Sequence, residues 1–451
     1  MTADRSQSLG QAPPAVARAE DHSPSVLTRA AETVTRYGLP AFIVCLPLEF
    51  TSQLLRLQLA RIVLLVVGVA YAYLVVVRRR TVTLPLGAST IALAVFVIAA
   101  LISWVATRAP GSYNALGDLV VYPVMAVLVL NLTRTERDHR EAWIAFLASG
   151  LLIAVVVAFL HFTHLSIWRA DPEGIRVNAT FGDPNVAARF LTLAACAGIV
   201  LFAGRVRVDR LAIAVLAACA AVTTFTLSKS ALLVFPVSVV LAAIFGRDRR
   251  RAAAIGAVGL VIFGASVLTT PGASARVVRA FQQITGGAQF VVNPPPSTSN
   301  ASISASDLDL VRVYLINAGW QMFVDHPVTG VGFGGYQHAL TTTYKRFLPE
   351  KPPATLSHTA LITMLAEEGF VGIALFVLFL LFLAREVIAS LRRPTPWREW
   401  VVVPAVLLLP ILAYSQVEGR MLEEPYLWLA LGLVYSARSL EKSMRTVEVP
   451  A

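Results

Sequence analysis

The chain contains twelve apolar runs, most of them long enough to cross the hydrocarbon core of a bilayer, for which about 20 helical residues suffice. Short polar connections separate nearly all of them, and 56% of the 451 residues are hydrophobic, more than a soluble domain of this size needs. The sequence therefore predicts an all-α fold, a polytopic membrane helix bundle of about twelve transmembrane helices. The runs lie near residues 38–54, 58–77, 84–104, 113–132, 142–163, 184–203, 211–227, 230–246, 252–270, 359–384, 399–416 and 425–437.

The basic residues indicate how such a bundle is oriented. The net charge is +11, but the charge is dispersed in short clusters between apolar runs, which argues against a nucleic-acid partner. With a cytoplasmic N-terminus every cluster falls on the cytoplasmic side, as the positive-inside rule requires. We therefore predict a multi-pass protein of the bacterial cytoplasmic (inner) membrane with both termini in the cytoplasm. The clusters are Arg78/Arg79/Arg80, Arg134/Arg137/Arg140, Arg205/Arg207/Arg210, Arg247/Arg249/Arg250/Arg251, Arg385/Arg392/Arg393/Arg398 and Arg438/Lys442/Arg445.

These spans divide the chain into five parts. Residues 1–36 are polar and predict a disordered cytoplasmic tail, 37–270 hold spans one to nine, and 271–357 form a long extracytoplasmic loop with amphipathic helices. Residues 358–437 hold the last three spans, and 438–451 form a second cytoplasmic tail. A loop of this length is usually functional or disordered, and its low-complexity stretch 285–306 predicts a flexible segment.

The second half of the loop carries a helical pattern. Ser306 and Asp309 are spaced as a capping box, and we predict an amphipathic helix from Ser306 to Asp325 with Arg312 in its second turn. Apolar residues follow at helical spacing, namely Leu308, Val311, Leu315, Ala318 and Met322.

Glycines after this helix match a nucleotide-binding pattern by chance. Gly330, Gly332 and Gly335 satisfy G-x-G-x-x-G, but that fingerprint requires a preceding strand in a βαβ unit. A helix and His326-Pro327 precede it here. We interpret the glycines as a turn between two surface helices.

Several cations also lie on the predicted outer side, where the positive-inside rule expects few. Arg169, Arg176, Lys229 and Arg312 lie there, together with His358. Converging arginines would bind an anion such as phosphate, whereas the alternative is solvated surface charge. Histidine has an unperturbed pKa of about 6.5, so His358, at the aqueous boundary of a span, is a candidate general base.

Two adjacent glutamates, Glu367 and Glu368, follow in the same apolar run. Carboxylates within a span are costly and face the protein interior. Arg189, in the second turn of span six, is one possible partner, and we interpret Glu367 as structural rather than catalytic. If the glutamates instead line a pathway, the chain is a small-anion transporter, although no internal repeat of the kind many transporters show is visible.

Four stretches are together similar to the O-antigen ligases and related O-antigen polymerases, bacterial membrane glycosyltransferases. Asp183, Lys229 and Thr359 replace the Asn, Arg and Asn usual in that family. The stretches are Arg176 to Asn185 (RVNATFGDPN), Ser228 to Ala231 (SKSA), the loop residues Arg312, Trp320, His326-Pro327 and Gly330-Val331-Gly332, and His358-Thr359 with Glu367, Gly369 and Gly372.

The resemblance implies an enzyme that moves a glycan from a polyprenyl-diphosphate carrier to an acceptor hydroxyl on a glycan, lipid or other surface molecule. Arg176, Lys229 and Arg312 would bind the diphosphate, and His358 would deprotonate the acceptor, with inversion at the anomeric carbon. It implies no metal and no cofactor, because the basic residues supply the positive charge. A polymerase would differ only in its acceptor, another lipid-linked repeat.

Overall fold

A computed structural model describes residues 25–167, 176–204, 206, 208–280, 308–347, 357, 359–393, 397–418 and 421–448. Within these ranges the regular structure is entirely helical, which agrees with the predicted all-α class. His358, Arg169, Ser306 and the low-complexity stretch 285–306 lie outside the described residues.

The helices follow the predicted runs closely over most of the chain. Two short 3₁₀ helices cover Thr223–Thr226 and Lys345–Phe347. The α-helices are α1 (Val26–Cys45), α2 (Thr51–Leu55), α3 (Leu59–Arg78), α4 (Ala88–Thr107), α5 (Tyr113–Leu132), α6 (Glu136–Thr163), α7 (Pro184–Phe202), α8 (Asp209–Val222), α9 (Lys229–Phe245), α10 (Arg249–Thr269), α11 (described over 273–280), α12 (Leu308–Asp325), α13 (Tyr336–Thr342), α14 (Ala360–Leu391), α15 (Arg398–Glu418) and α16 (Pro425–Glu448).

Nine helical segments in the described part of the chain are long and apolar enough to cross a membrane. They are α3 to α7, α8 with the 3₁₀ turn that follows it, α10, α14 and α15. Helix α9 is apolar but shorter, and α1 and α16 fall outside this set. The chain is thus a multi-pass helical membrane protein, and the number twelve stays a prediction.

The two ends of the chain differ from the prediction. Helix α1 begins at Val26, capped by Ser25, so the tail 1–36, predicted to be disordered, is helical from residue 26. The bounds 38–54 of the first span stay a prediction. Hydropathy misses the start of α1 because its buried face consists of small residues, Thr28, Ala31 and Thr35, two of them polar. Similarly, α16 continues past the predicted end at 437, to Glu448, where Arg438 forms an ion pair with Glu386 of α14.

Helix α7 is the centre of the bundle. Every residue from Ala187 to Leu201 is buried, and α6, α8, α9 and α15 pack around it. A helix that is apolar on all sides is stable only when protein or lipid covers it completely. Its start at Pro184 is therefore held in a fixed position, together with the residues on its first two turns.

Helix α14 is interrupted at Gly369, whose φ of 63° and ψ of −156° are not helical. Residues 327–335, the glycine loop, pair with this bend. The amides of Val331 and Gly332 donate to the carbonyls of Ala366 and Glu367, at 2.8 and 2.9 Å. In return, Phe370 donates to the Pro327 carbonyl at 2.8 Å. Backbone groups released by the break are thus satisfied by the loop, as an apolar environment requires.

The glycine loop lies inside the bundle as well as between helices. It connects α12 to α13, as predicted, but it is not confined to the surface. Phe333 is buried and its amide donates to the Ser103 hydroxyl of α4 at 3.2 Å. Gly332, at φ 98°, lies so close to Thr107 that a Cβ would be 2.2 Å from its hydroxyl oxygen. Close backbone approach therefore explains the glycines.

The predicted loop helix is confirmed as α12 from Leu308 to Asp325. Leu315, Ala318 and Met322 are fully buried, where they pack with Tyr336 of α13 and Ala366 of α14. This apolar cluster attaches the described part of the outer loop to the first half of α14.

Gly369 offers a test of the interrupted helix. We expect Gly369→Ala to lower the free energy of unfolding by about 2 kcal/mol or more, because this conformation is essentially restricted to glycine. A Cβ there would also lie 2.5 Å from the Val328 carbonyl. Denaturant titration in mixed micelles measures the change. Gly264→Ala in α10 is the matched control, since an added Cβ meets nothing within 4 Å and alanine favours a helix by up to about 1 kcal/mol. Equal effects of the two substitutions would contradict the described bend.

Candidate functional site

Two helices begin side by side at the end of the bundle that the basic clusters predict to be outer, hereafter the outer end. Asp183 caps α7 by accepting from the Asn185 amide, with Pro184 in the first turn, a strong start signal. Ser228 caps α9 by accepting from the Ala231 amide. The motifs RVNATFGDPN and SKSA are therefore helix starts.

Arg176 bridges these two starts. Its guanidinium donates to the Asn185 side-chain oxygen of α7 at 3.2 Å and to the Thr226 carbonyl, just before α9, at 3.3 Å. Helix N-termini carry partial positive charge, so a cation that joins two of them creates a region favourable to anions.

Arg276 of α11 adds a third cation that was not predicted. Its guanidinium donates to the Leu227 carbonyl at 3.2 Å, two residues before Lys229. Arg176, Lys229 and Arg276, hereafter the cation group, thus surround the turn that leads into α9. Two of the three predicted phosphate-binding residues are brought together here.

Arg312 is on a different element. It is half-buried in the second turn of α12, which packs mainly against α14. Its convergence with Arg176 and Lys229 stays a prediction, and so does the role of His358, which the structure does not describe.

The C-terminal end of α12 is hydrogen-bonded to Tyr344, the residue that precedes the 3₁₀ helix Lys345–Phe347. Asp325 accepts hydrogen bonds from the Tyr344 hydroxyl and from Gln321, both at 2.8 Å, and these bonds lower the pKa of the Asp325 carboxyl. Burial, and then the bond to Asp325, raises the pKa of Tyr344 to about 12. At neutral pH the phenol is therefore the donor and the carboxylate the acceptor.

A cavity of about 680 Å³ lies beside the cation group. It is lined by the outer parts of α1, α3, α5, α7 and α14, by the glycine loop and by the residues that precede α16. Asn185, which accepts from Arg176, is one of its lining residues, so the cavity and the cation group meet at the start of α7.

Among the described residues that line this cavity, acidic side chains outnumber basic ones. Seven of its described lining residues are acidic and two, Arg61 and Arg189, are basic. Across the described residues, no group of three or more His, Cys, Asp and Glu side chains is arranged to hold a metal ion. The acidic residues are Glu49, Asp118, Asp183, Glu367, Glu368, Glu423 and Glu424.

Both arginines of the cavity form ion pairs with its carboxylates. Arg61 lies 2.9 Å from Asp118, and Arg189 is paired with Glu424. Glu424 is thus a partner of Arg189 that the sequence did not suggest, because the turn before α16 folds over the start of α7, a tertiary contact that sequence spacing does not reveal. A pairing of Arg189 with one of the glutamates in α14 stays a prediction.

The side chain of Glu367 connects α14 to the end of the glycine loop. Its Oε1 accepts from the Tyr336 amide at 3.0 Å, and the Gly334 amide is a second donor. The carboxylate therefore anchors the end of the glycine loop at the start of α13. This arrangement agrees with the interpretation of Glu367 as structural.

Residues 212–377, fewer than half of the chain, match the family model described as O-Antigen ligase. Over these residues the chain is similar to the O-antigen ligase family. Members of this family are glycosyltransferase-like ligases or polymerases, and the resemblance noted in the sequence is confirmed. No curated protein matches the chain.

The matched segment, residues 212–377, contains most of the predicted site. Lys229, Arg312, His358 and Glu367 lie within it, whereas Arg176 precedes it. The acidic cavity extends beyond this segment on both sides, through α1, α3 and α5 and through the residues before α16. Sequence reasoning missed it, although Glu49 and Asp118 were visible as ionisable residues inside apolar runs, a known indication of function.

The buried pair of Arg189 and Glu424 leads to a second prediction. Both side chains are at most 4% exposed, so Arg189→Met leaves the Glu424 carboxylate buried without its guanidinium. Removing one member of such a pair costs about 3–5 kcal/mol of unfolding free energy. The double variant with Glu424→Met should recover most of this loss. Denaturant titration in mixed micelles tests both.

The control is Arg251→Met, whose pair with Asp209 is about half exposed and should contribute about 0–1 kcal/mol. If Arg189→Met costs no more than this control, the pair does not stabilise the bundle.

Proposed function

We propose that the protein is an O-antigen ligase-like glycosyltransferase that moves a glycan from a polyprenyl-diphosphate carrier to an acceptor hydroxyl at the outer face of the cytoplasmic membrane. The observation that carries this proposal is the bridge made by Arg176 between the starts of α7 and α9. It gathers two helix N-termini and the cation group at one end of an apolar bundle, where a lipid-linked anion is accessible. The family match supports the same reaction class.

The chemistry needs two functions from the protein. The diphosphate leaving group gains negative charge as the glycosidic bond breaks, and Arg176, Lys229 and Arg312 stabilise that charge. His358 accepts the proton of the acceptor hydroxyl, whose oxygen attacks the anomeric carbon from the opposite face and inverts it. The basic residues supply the positive charge, so we propose that the reaction is independent of metal.

A small-anion transporter is the second candidate, and one observation favours it. Helix α14 is broken next to Glu367 and Glu368, and broken helices form the binding sites of many transporters. Here, however, the break is filled by the glycine loop, which gives it a structural explanation.

Transfer in proteoliposomes tests the proposal. Purified protein with a polyprenyl-diphosphate oligosaccharide and a panel of acceptors, in EDTA, should transfer glycan. We expect His358→Ala to slow transfer by about 10²–10⁴-fold, the usual contribution of a general base. Arg176→Ala and Arg312→Ala should each slow it by about 10²–10³-fold, as the loss of a charge-stabilising donor does. Arg249→Ala, exposed at the opposite end of α9 and α10, is the matched control.

Three results would contradict parts of this scheme. Full activity of His358→Ala removes that residue as the base, and activity that requires added metal removes metal independence. Uptake of labelled phosphate or sulfate into the same vesicles, without transfer to any acceptor, establishes the transporter instead. An acceptor that must be lipid-diphosphate-linked identifies a polymerase.

A further inference from the structure

Glu368 differs from its neighbour Glu367 in the surroundings of its carboxyl group. Its side chain is 6% exposed and lines the cavity, and its Oε2 has no hydrogen-bond partner. Burying a carboxylate oxygen without a partner costs free energy. A group retained at such a cost, inside a cavity large enough for a small molecule, indicates a ligand that supplies the missing donor.

The charges of the described lining residues limit which kinds of ligand the cavity can bind. Arg61 and Arg189 are each paired with a carboxylate of the lining, and five further acidic residues face the same space. An anion such as a diphosphate would be repelled there, in contrast to the cation group. Carboxylates accept hydrogen bonds, and their preferred uncharged partners are groups rich in O–H and N–H donors.

We propose that the acidic cavity binds an uncharged, hydroxyl-rich sugar, with the Glu368 carboxyl group hydrogen-bonded to one of its hydroxyl groups. The cavity shares Asn185 with the surroundings of Arg176, which places a bound sugar next to the proposed diphosphate site. In that setting, which rests on the proposed function, the sugar belongs either to the acceptor or to the glycan of the donor.

Sugar binding is measured first, without donor lipid, so that the result does not depend on transfer. Full-length protein in nanodiscs is titrated by saturation-transfer NMR with neutral trisaccharides of glucose, galactose, mannose and N-acetylglucosamine. A sialylated trisaccharide is the anionic comparator and a glucosamine trisaccharide the cationic one. We expect at least one neutral sugar to bind and the anionic sugar not to bind.

Variants then assign the contact. Glu368→Ala should weaken binding by up to about tenfold, as the loss of a hydrogen-bond partner does, and Glu368→Gln, which keeps an acceptor oxygen, by less. Glu141→Gln, in the exposed i,i+4 pair with Arg137 on α6, should bind as wild type does. Neither Glu368 variant should lower the unfolding temperature, because no hydrogen bond to Oε2 is lost, whereas Glu367→Ala should lower it.

The proposal is overturned if no neutral sugar binds, if the charged sugars alone bind, or if Glu368→Ala binds as tightly as wild type. A fall in the unfolding temperature of Glu368→Gln equal to that of Glu367→Ala would also overturn it, since Glu368 would then be structural. Where transfer is active, a higher KM of Glu368→Ala for acceptor alone assigns the bound sugar to the acceptor, and a higher KM for donor alone assigns it to the donor. Binding without any transfer would refute the proposed function and leave the sugar site standing.

Discussion

The exchange of backbone hydrogen bonds between the glycine loop and the bend in α14 determines the arrangement of the outer end. Helix α14 could not be interrupted among apolar helices unless other groups satisfied the amides and carbonyls that the break releases. The glycine loop does so, through Val331, Gly332 and the carbonyl of Pro327. In return the outer loop is fixed to the bundle at a backbone-to-backbone distance that side chains would prevent.

The outer end separates charge into two neighbouring regions. The cation group lies where α7 and α9 begin, and the carboxylates line the cavity on the other side of the α7 start. Helix α7 is surrounded by protein, and Arg189 ties its second turn to Glu424. The boundary between the two regions is consequently held by the most buried helix in the described structure, so both can stay preorganised without a ligand.

The sequence predicted most of the scaffold and about half of the site. Hydropathy alone located α3 to α10, since each is an apolar run. Asp183-Pro184 and Ser228 are local helix-start signals that need no tertiary information. The beginning of α1 was missed because two of the three buried residues there are threonines. Arg276 and the partner of Arg189 were missed because each contact joins residues about 50 or more than 200 positions apart, on elements whose packing no local pattern reports.

Glu367 and Glu368 illustrate this limit most clearly, because adjacent and chemically identical residues are placed in different surroundings. In an uninterrupted helix their side chains would point about 100° apart, a geometry that follows from 3.6 residues per turn and leaves either one equally suited to anchor a neighbour. The break at Gly369 admits the glycine loop on one side, so Glu367 meets the amides of Tyr336 and Gly334. The Glu368 side chain instead lines the cavity, and its Oε2 has no hydrogen-bond partner. The glycine loop, some thirty residues earlier in the chain, thus determines which of the two carboxyl groups is structural and which faces the cavity.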